Sequence, residues 1–148
     1  MHDVDMRSES DGRFIVPFDG FSMYPFLRPG DRLVIRKDAF QTFKVGNIIL
    51  FRNGRPDHSR QLVAHRVIRI MPNGRILTKG DNLLRPDPEL EGWSQILGQV
   101  VMILRRERMI TLTRGGSGFA AKWIAILSRN NLSPGILALK MKAFIGIN

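Results

Sequence analysis

Short apolar runs, separated by glycine, proline and asparagine, set the pattern of the first two thirds of the chain. Arg13-Phe14-Ile15-Val16-Pro17-Phe18 reads as a short extended segment, and Asp31 to Arg36 alternates enough for a half-buried strand. Gly46 to Phe51 is a compact apolar run closed by Asn53-Gly54, a turn pair. Residues 56 to 61 are polar and read as a loop. Leu62 to Met71 is a further strand, which Pro72-Asn73-Gly74 turns back into Arg75 to Thr78 as a hairpin. Residues 82 to 93, with Pro86 and Pro88, read as loop, and Ser94 to Leu104 as the last strand. Many short strands punctuated by turns predict a mainly β core.

Past Gly115-Gly116-Ser117-Gly118 the period changes. Phe119, Trp123, Ile126 and Leu127 fall at helical spacing, and Asn130-Asn131 breaks the run. Ser133-Pro134 then suits the start of a second helix with Leu137, Met141, Phe144 and Ile145 as its stripe. Neither run is long enough to cross a bilayer, which takes about 20 apolar residues. The chain therefore divides into a polar lead (1–12), a core (13–108) and a basic C-terminal extension with two short helices (109–148).

Charge sharpens that division. Residues 105 to 148 hold eight basic side chains against Glu107 alone, so they carry +7 of the net +10. Such asymmetry points to an anionic partner, and two short basic amphipathic helices suit an anionic membrane surface or packing on the core. No aromatic-interleaved basic patch or nucleic-acid motif is present, which argues against nucleic acid. The lead carries Asp3, Asp5, Arg7, Glu9, Asp11 and Arg13, too polar for a signal peptide or a membrane span. A cytoplasmic or peripherally membrane-associated protein is expected. With no cysteine, thiolate catalysis, disulfides and Cys-based zinc sites drop out together. The three histidines, 2, 58 and 65, form no ligand pattern, so neither a metal nor another cofactor is expected.

The candidate chemistry lies in Gly20-Phe21-Ser22-Met23-Tyr24-Pro25, closed by Gly30-Asp31. A serine hydroxyl is a weak nucleophile and needs a base. His65 is the candidate, in Val63-Ala64-His65-Arg66-Val67, followed by Thr78-Lys79-Gly80-Asp81-Asn82 and Pro86-Asp87-Pro88. Each piece has a plainer use: Ser22 as a turn serine, His65 as a buried strand histidine, Gly80-Asp81-Asn82 as an ordinary turn. Their order along one chain favours nucleophile, base and acid.

These boxes resemble the type I signal peptidase family, most closely its archaeal and endoplasmic-reticulum branch, over residues 14 to 104. Val45-Gly46-Asn47-Ile48-Ile49-Leu50-Phe51 and Leu97-Gly98-Gln99-Val100-Val101 resemble two further family segments, with Asn47 where aspartate is usual. The resemblance implies a coiled β-sheet core shared with the SOS-repressor peptidases. It also implies Ser22 as nucleophile, His65 as general base and Asp87 as the acid orienting it. Asp81 matches the family's other important acid and is expected to brace the loop or share that task. Gly20 stands where bacterial relatives often have an oxyanion-binding serine, so backbone N–H groups would serve instead. Met23 and Pro25 are expected to shape the substrate groove. Relatives normally carry a membrane-spanning helix before the serine box, whereas only residues 1 to 21 precede Ser22.

The expected activity is a serine endopeptidase that removes a leader or signal-like segment from a precursor protein or peptide. Two alternatives stand beside it. One is a self-cleaving regulator of the SOS or phage-repressor type, which would place lysine where His65 stands. The other is a non-catalytic membrane- or nucleic-acid-binding module.

Overall fold

The computed structural model describes residues 12–37, 43–54, 60–90 and 95–112. They form a mainly β protein built on one sheet. Its strands are β1 (Arg13–Phe18), β2 (Asp31–Arg36), β3 (Ile48–Gly54), β4 (Arg60–Ile70), β5 (Ile76–Lys79), β6 (Ile96–Arg105) and β7 (Arg108–Thr111). The order across the sheet is β1-β2-β6-β3-β4-β5, with β7 added to β6, and every pairing is antiparallel. The polar lead and the two C-terminal helices read from the sequence lie outside the described residues.

The continuous apolar run in β3 has a simple cause. Ile48 and Leu50 point into one core cluster with Phe14, Leu33 and Val100, while Ile49 and Phe51 point into another with Val67, Ile76 and Ile96. Consecutive strand residues face opposite sides, so β3 is buried on both faces and has no polar side to show. β2 departs from its half-buried expectation for a similar reason. Leu33 and Ile35 point into the first cluster and Val34, on the other face, is buried as well, so β2 too is covered on both sides.

Three register shifts bend the sheet: between Val34 and Ile35 against β6, between Leu50 and Phe51 against β6, and between Val67 and Arg69 in the β4–β5 pair. Each inserts an extra residue on one strand and raises the local twist, which coils the sheet. Gly98 lies where such a bend brings strands together. A Cβ there would fall 2.5 Å from the Arg36 carbonyl oxygen.

The hairpin through Pro72-Asn73-Gly74 is present, with Ile70 opposite Ile76 and Gly74 at φ +80°. Two features differ from the sequence reading. Asn53 and Gly54 do not turn the chain; they continue β3 opposite Gln61 and Arg60. The sheet also runs past residue 108, since β7, whose side chains are exposed, pairs with β6 from Arg105↔Arg108 to Met102↔Thr111. Its two-residue turn places Arg106 at φ +51°, a conformation that usually announces itself through Asn or Gly.

Candidate active site

The serine box is a closed loop between paired strands. Phe18 stands opposite Asp31, and Gly30 N–H donates to the Phe18 carbonyl at 2.9 Å. Inside the loop, Phe26 and Leu27 N–H groups both donate to the Met23 carbonyl, at 2.9 and 3.0 Å. Met23 and Leu27 are fully buried and plug the loop into the core. Ser22, one residue before this plug, is left on the wall of a cleft of about 650 Å³. Pro17, Phe18 and Gly20 line one side of that cleft, Leu62 to His65 the other, with Leu83 and Asp87 completing it.

His65 lies on β4 opposite Ile49, 5% exposed, with the Phe51 ring edge-on at 6.1 Å between centroids. Its Nε2 is 2.9 Å from Ser22 Oγ and its Nδ1 is 2.7 Å from Asp87 Oδ2. An ionised carboxylate only accepts, so Nδ1 carries the proton that is donated to Asp87. In the neutral ring Nε2 is then an acceptor facing the serine hydroxyl. Asp87 is delivered by a segment that folds back along β5, with Asp87 N–H donating to the Thr78 carbonyl at 2.9 Å and Leu90 N–H to that of Ile76 at 3.0 Å.

Beneath Ser22 runs the Gly80-Asp81-Asn82 box. Asn82 N–H donates to the Ser22 carbonyl at 2.8 Å and Asn82 Nδ2 to that of Phe21 at 3.2 Å. Asp81 N–H points at Met23 Sδ, 3.3 Å away. Gly80 lets the two backbones meet, since a Cβ there would sit 2.6 Å from the Ser22 carbonyl oxygen. Asp81 itself is not on the histidine. Both of its oxygens accept from Arg66, at 2.8 and 2.7 Å, in a pair that is 1% exposed on either side. Arg66 also donates to the Gly46 carbonyl at 2.8 Å, and its guanidinium lies over the Phe26 ring, 4.8 Å from the centroid.

A second arginine holds the far end of the loop. Arg105 donates to both oxygens of Asp31 and to the Phe26 carbonyl, each at 2.8 Å. Burial pushes the Asp31 carboxyl up, but the Arg105 hydrogen bond, the Arg28 N–H and the two guanidinium charges together hold it below its ordinary value. The same hydrogen bond raises Arg105. Burial lowers Lys79, with the Asp81 charge opposing.

The structure thus brings Ser22, His65 and Asp87 into one hydrogen-bonded line and puts Gly20 on the cleft. Asp81 takes the first of its two expected roles, and the remaining two residues lie off the groove. Asp81 braces the loop through Arg66. Met23, expected on the groove, is fully buried, because an unbranched thioether fills the space under the turn. Pro25 does not line the cleft; its carbonyl accepts from Arg28 Nε at 3.3 Å. Arg66, Thr78 and Arg105 received no role from the sequence, although Arg66 directly follows His65 and Thr78 opens the Lys-Gly-Asp-Asn box. Among the described residues, no group of three His, Cys, Asp or Glu side chains could hold a metal ion.

A hydroxyl, an imidazole and a carboxylate in line are the parts that acyl-transfer hydrolases use. This chain is 31% identical over 131 residues to the signal peptidase complex catalytic subunit SEC11 of Leptosphaeria maculans, a match covering 86% of this chain and 70% of that protein. It belongs to the signal peptidase family. No family model and no solved structure matches it.

Proposed function

We propose that this protein is a serine endopeptidase that cuts a leader or signal-like segment from a precursor protein or peptide. The observation that carries the reading is the Ser22–His65–Asp87 line on the wall of an open cleft. Ser22 Oγ attacks the scissile carbonyl as His65 Nε2 takes its proton. The imidazolium, held by Asp87, returns that proton to the leaving amine. Water, activated by the same ring, then frees the acyl group from Ser22. The Ser22 N–H and neighbouring backbone donors would serve the oxyanion, since Gly20 offers no hydroxyl.

The strand edges support an extended substrate. Among the described residues, β1 pairs only with β2, and β4 from Arg60 to His65 pairs only with β3. Pro17 and Phe18 of β1 and Gln61 to Ala64 of β4 all border the cleft, so a peptide strand laid in it meets open backbone on both sides. Phe21, Tyr24, Leu83 and Leu84 expose apolar surface in the segments around Ser22. Together with the basic C-terminal segment, they suit work at an anionic membrane surface. No observation of the site favours self-cleavage or an inert binding module.

The test is cleavage of a synthetic peptide spanning a signal-peptide junction. Ser22→Ala should lower the rate by at least about 10³-fold while the circular dichroism of the protein stays unchanged. Undiminished cleavage by Ser22→Ala would end this reading.

A further inference from the structure

Asp87 stands between two prolines in a segment without a strand of its own, yet its carboxylate must keep a fixed angle to the His65 ring. One neighbour supplies that angle. Thr78 Oγ1 donates to Asp87 Oδ2 at 2.7 Å, onto the same oxygen that accepts from His65 Nδ1 at 2.7 Å. The Thr78 carbonyl in turn accepts from Asp87 N–H at 2.9 Å. A single residue therefore grips both the backbone and the side chain of Asp87.

The sheet places this grip. Thr78 is paired with Val67 on β4, and directly opposed residues in a strand pair share a face. His65 is two positions before Val67 and shares that face as well. Thr78 and His65 are thus diagonal neighbours across β4 and β5, and Asp87 reaches them both from the returning segment. Thr78 has no exposed surface, is β-branched and therefore stiff at χ1, and its hydroxyl can only donate to an ionised carboxylate. One hydrogen bond would leave the carboxylate able to rotate about χ2. Two donors held in the same sheet frame remove that freedom.

We propose that Thr78 is a positioning residue for the cleavage reaction: it sets the Asp87 carboxylate, and through it the tautomer and tilt of the His65 ring. The proposal rests on the endopeptidase reading for its kinetic consequence but not for its geometry. Thr78 does not line the cleft, and its hydroxyl is spent on Asp87. Its effect must pass through Asp87.

Thr78→Val keeps the shape and deletes the hydroxyl, whereas Thr78→Ser keeps the hydroxyl. With the same synthetic junction peptide, Thr78→Val should lower kcat by roughly 10- to 100-fold with KM nearly unchanged, the range for losing one hydrogen bond to a charged group. Thr78→Ser should recover most of that loss. In an Asp87→Ala background, adding Thr78→Val should change the rate by less than about twofold, because residues acting as a unit are non-additive. A Thr78→Val loss that multiplies fully onto that of Asp87→Ala, or no loss at all, overturns the proposal. A second readout needs no substrate: the His65 Nδ1–H proton in the NMR spectrum should move or broaden in Thr78→Val and stay in place in Thr78→Ser. An unchanged resonance in Thr78→Val also overturns it. A wild-type protein with a normal Nδ1–H signal that cleaves no peptide would instead defeat the endopeptidase reading alone.

Discussion

Arg66 turns away from its neighbour His65 to the opposite face of β4 and donates from Nε and Nη2 to the two oxygens of Asp81, at 2.8 and 2.7 Å. One dipeptide thus serves two tasks: His65 meets Ser22 above, and Arg66 holds the loop that carries it from below. The ion pair is almost fully buried, so its value lies in what happens when half of it is removed. Arg66→Met or Asp81→Ala should lower stability by about 3–5 kcal/mol in urea unfolding, since an uncompensated charge stays buried. Cleavage should fall in parallel. A stability change under about 1 kcal/mol would show that water reaches the pair and relieves it.

His65 should tolerate no other base. His65→Lys has one nitrogen and cannot bridge Ser22 and Asp87, whose contacts use opposite sides of the imidazole. Both His65→Lys and His65→Ala should lose activity by about 10³-fold or more, measured on the junction peptide. His58→Ala should be nearly silent. Full activity in His65→Ala with loss in His58→Ala would reverse the assignment.

The Arg105–Asp31 pair predicts a pH signature. Asp31 is held below its ordinary value, so the native state prefers the charged form. Its contribution is fully present above the unfolded carboxyl value, about 3.9, and fades as pH falls toward the folded value. Arg105→Met leaves the carboxyl, 2% exposed, with burial less opposed. We expect a loss of about 2–3 kcal/mol near pH 7 in urea unfolding. The gap between variant and wild type should narrow by about pH 3, where Asp31 of the variant is protonated. Equal gaps at both pH values would assign the effect to lost packing instead.

The proposed contact with an anionic membrane surface can be tested on vesicles. Deleting residues 115–148 should release the protein from anionic vesicles, because each basic side chain near such a surface contributes about 1 kcal/mol. Binding of the full chain should weaken with salt. Leu84→Ser should weaken it further if the apolar side chains near Ser22 touch the bilayer. A full-length protein that ignores anionic vesicles at low salt has no such surface.

Local patterns in the chain are enough to mark the strands and the order of the chemistry. Apolar runs of strand length mark β1 to β6 to within a few residues, and Pro72-Asn73-Gly74 marks the hairpin, because period and turn chemistry are local properties. Ser22, His65 and Asp87 stood out through the boxes around them. Tertiary structure alone decided which carboxylate meets the imidazole, since Ser22 and His65 are 43 positions apart and His65 and Asp87 are 22 apart. Those distances close only through the register of β4 on β3 and β5 and the bulge beside Val67, which no local pattern contains. The same holds for Met23, whose burial depends on the loop folding over it, and for Asn53-Gly54, a turn pair drawn into strand pairing by β4. β7 carries no local turn signal, because Arg106 makes its turn without the usual glycine or asparagine. Thr78, Arg66 and Arg105 look like ordinary strand residues until pairing brings each one to its carboxylate.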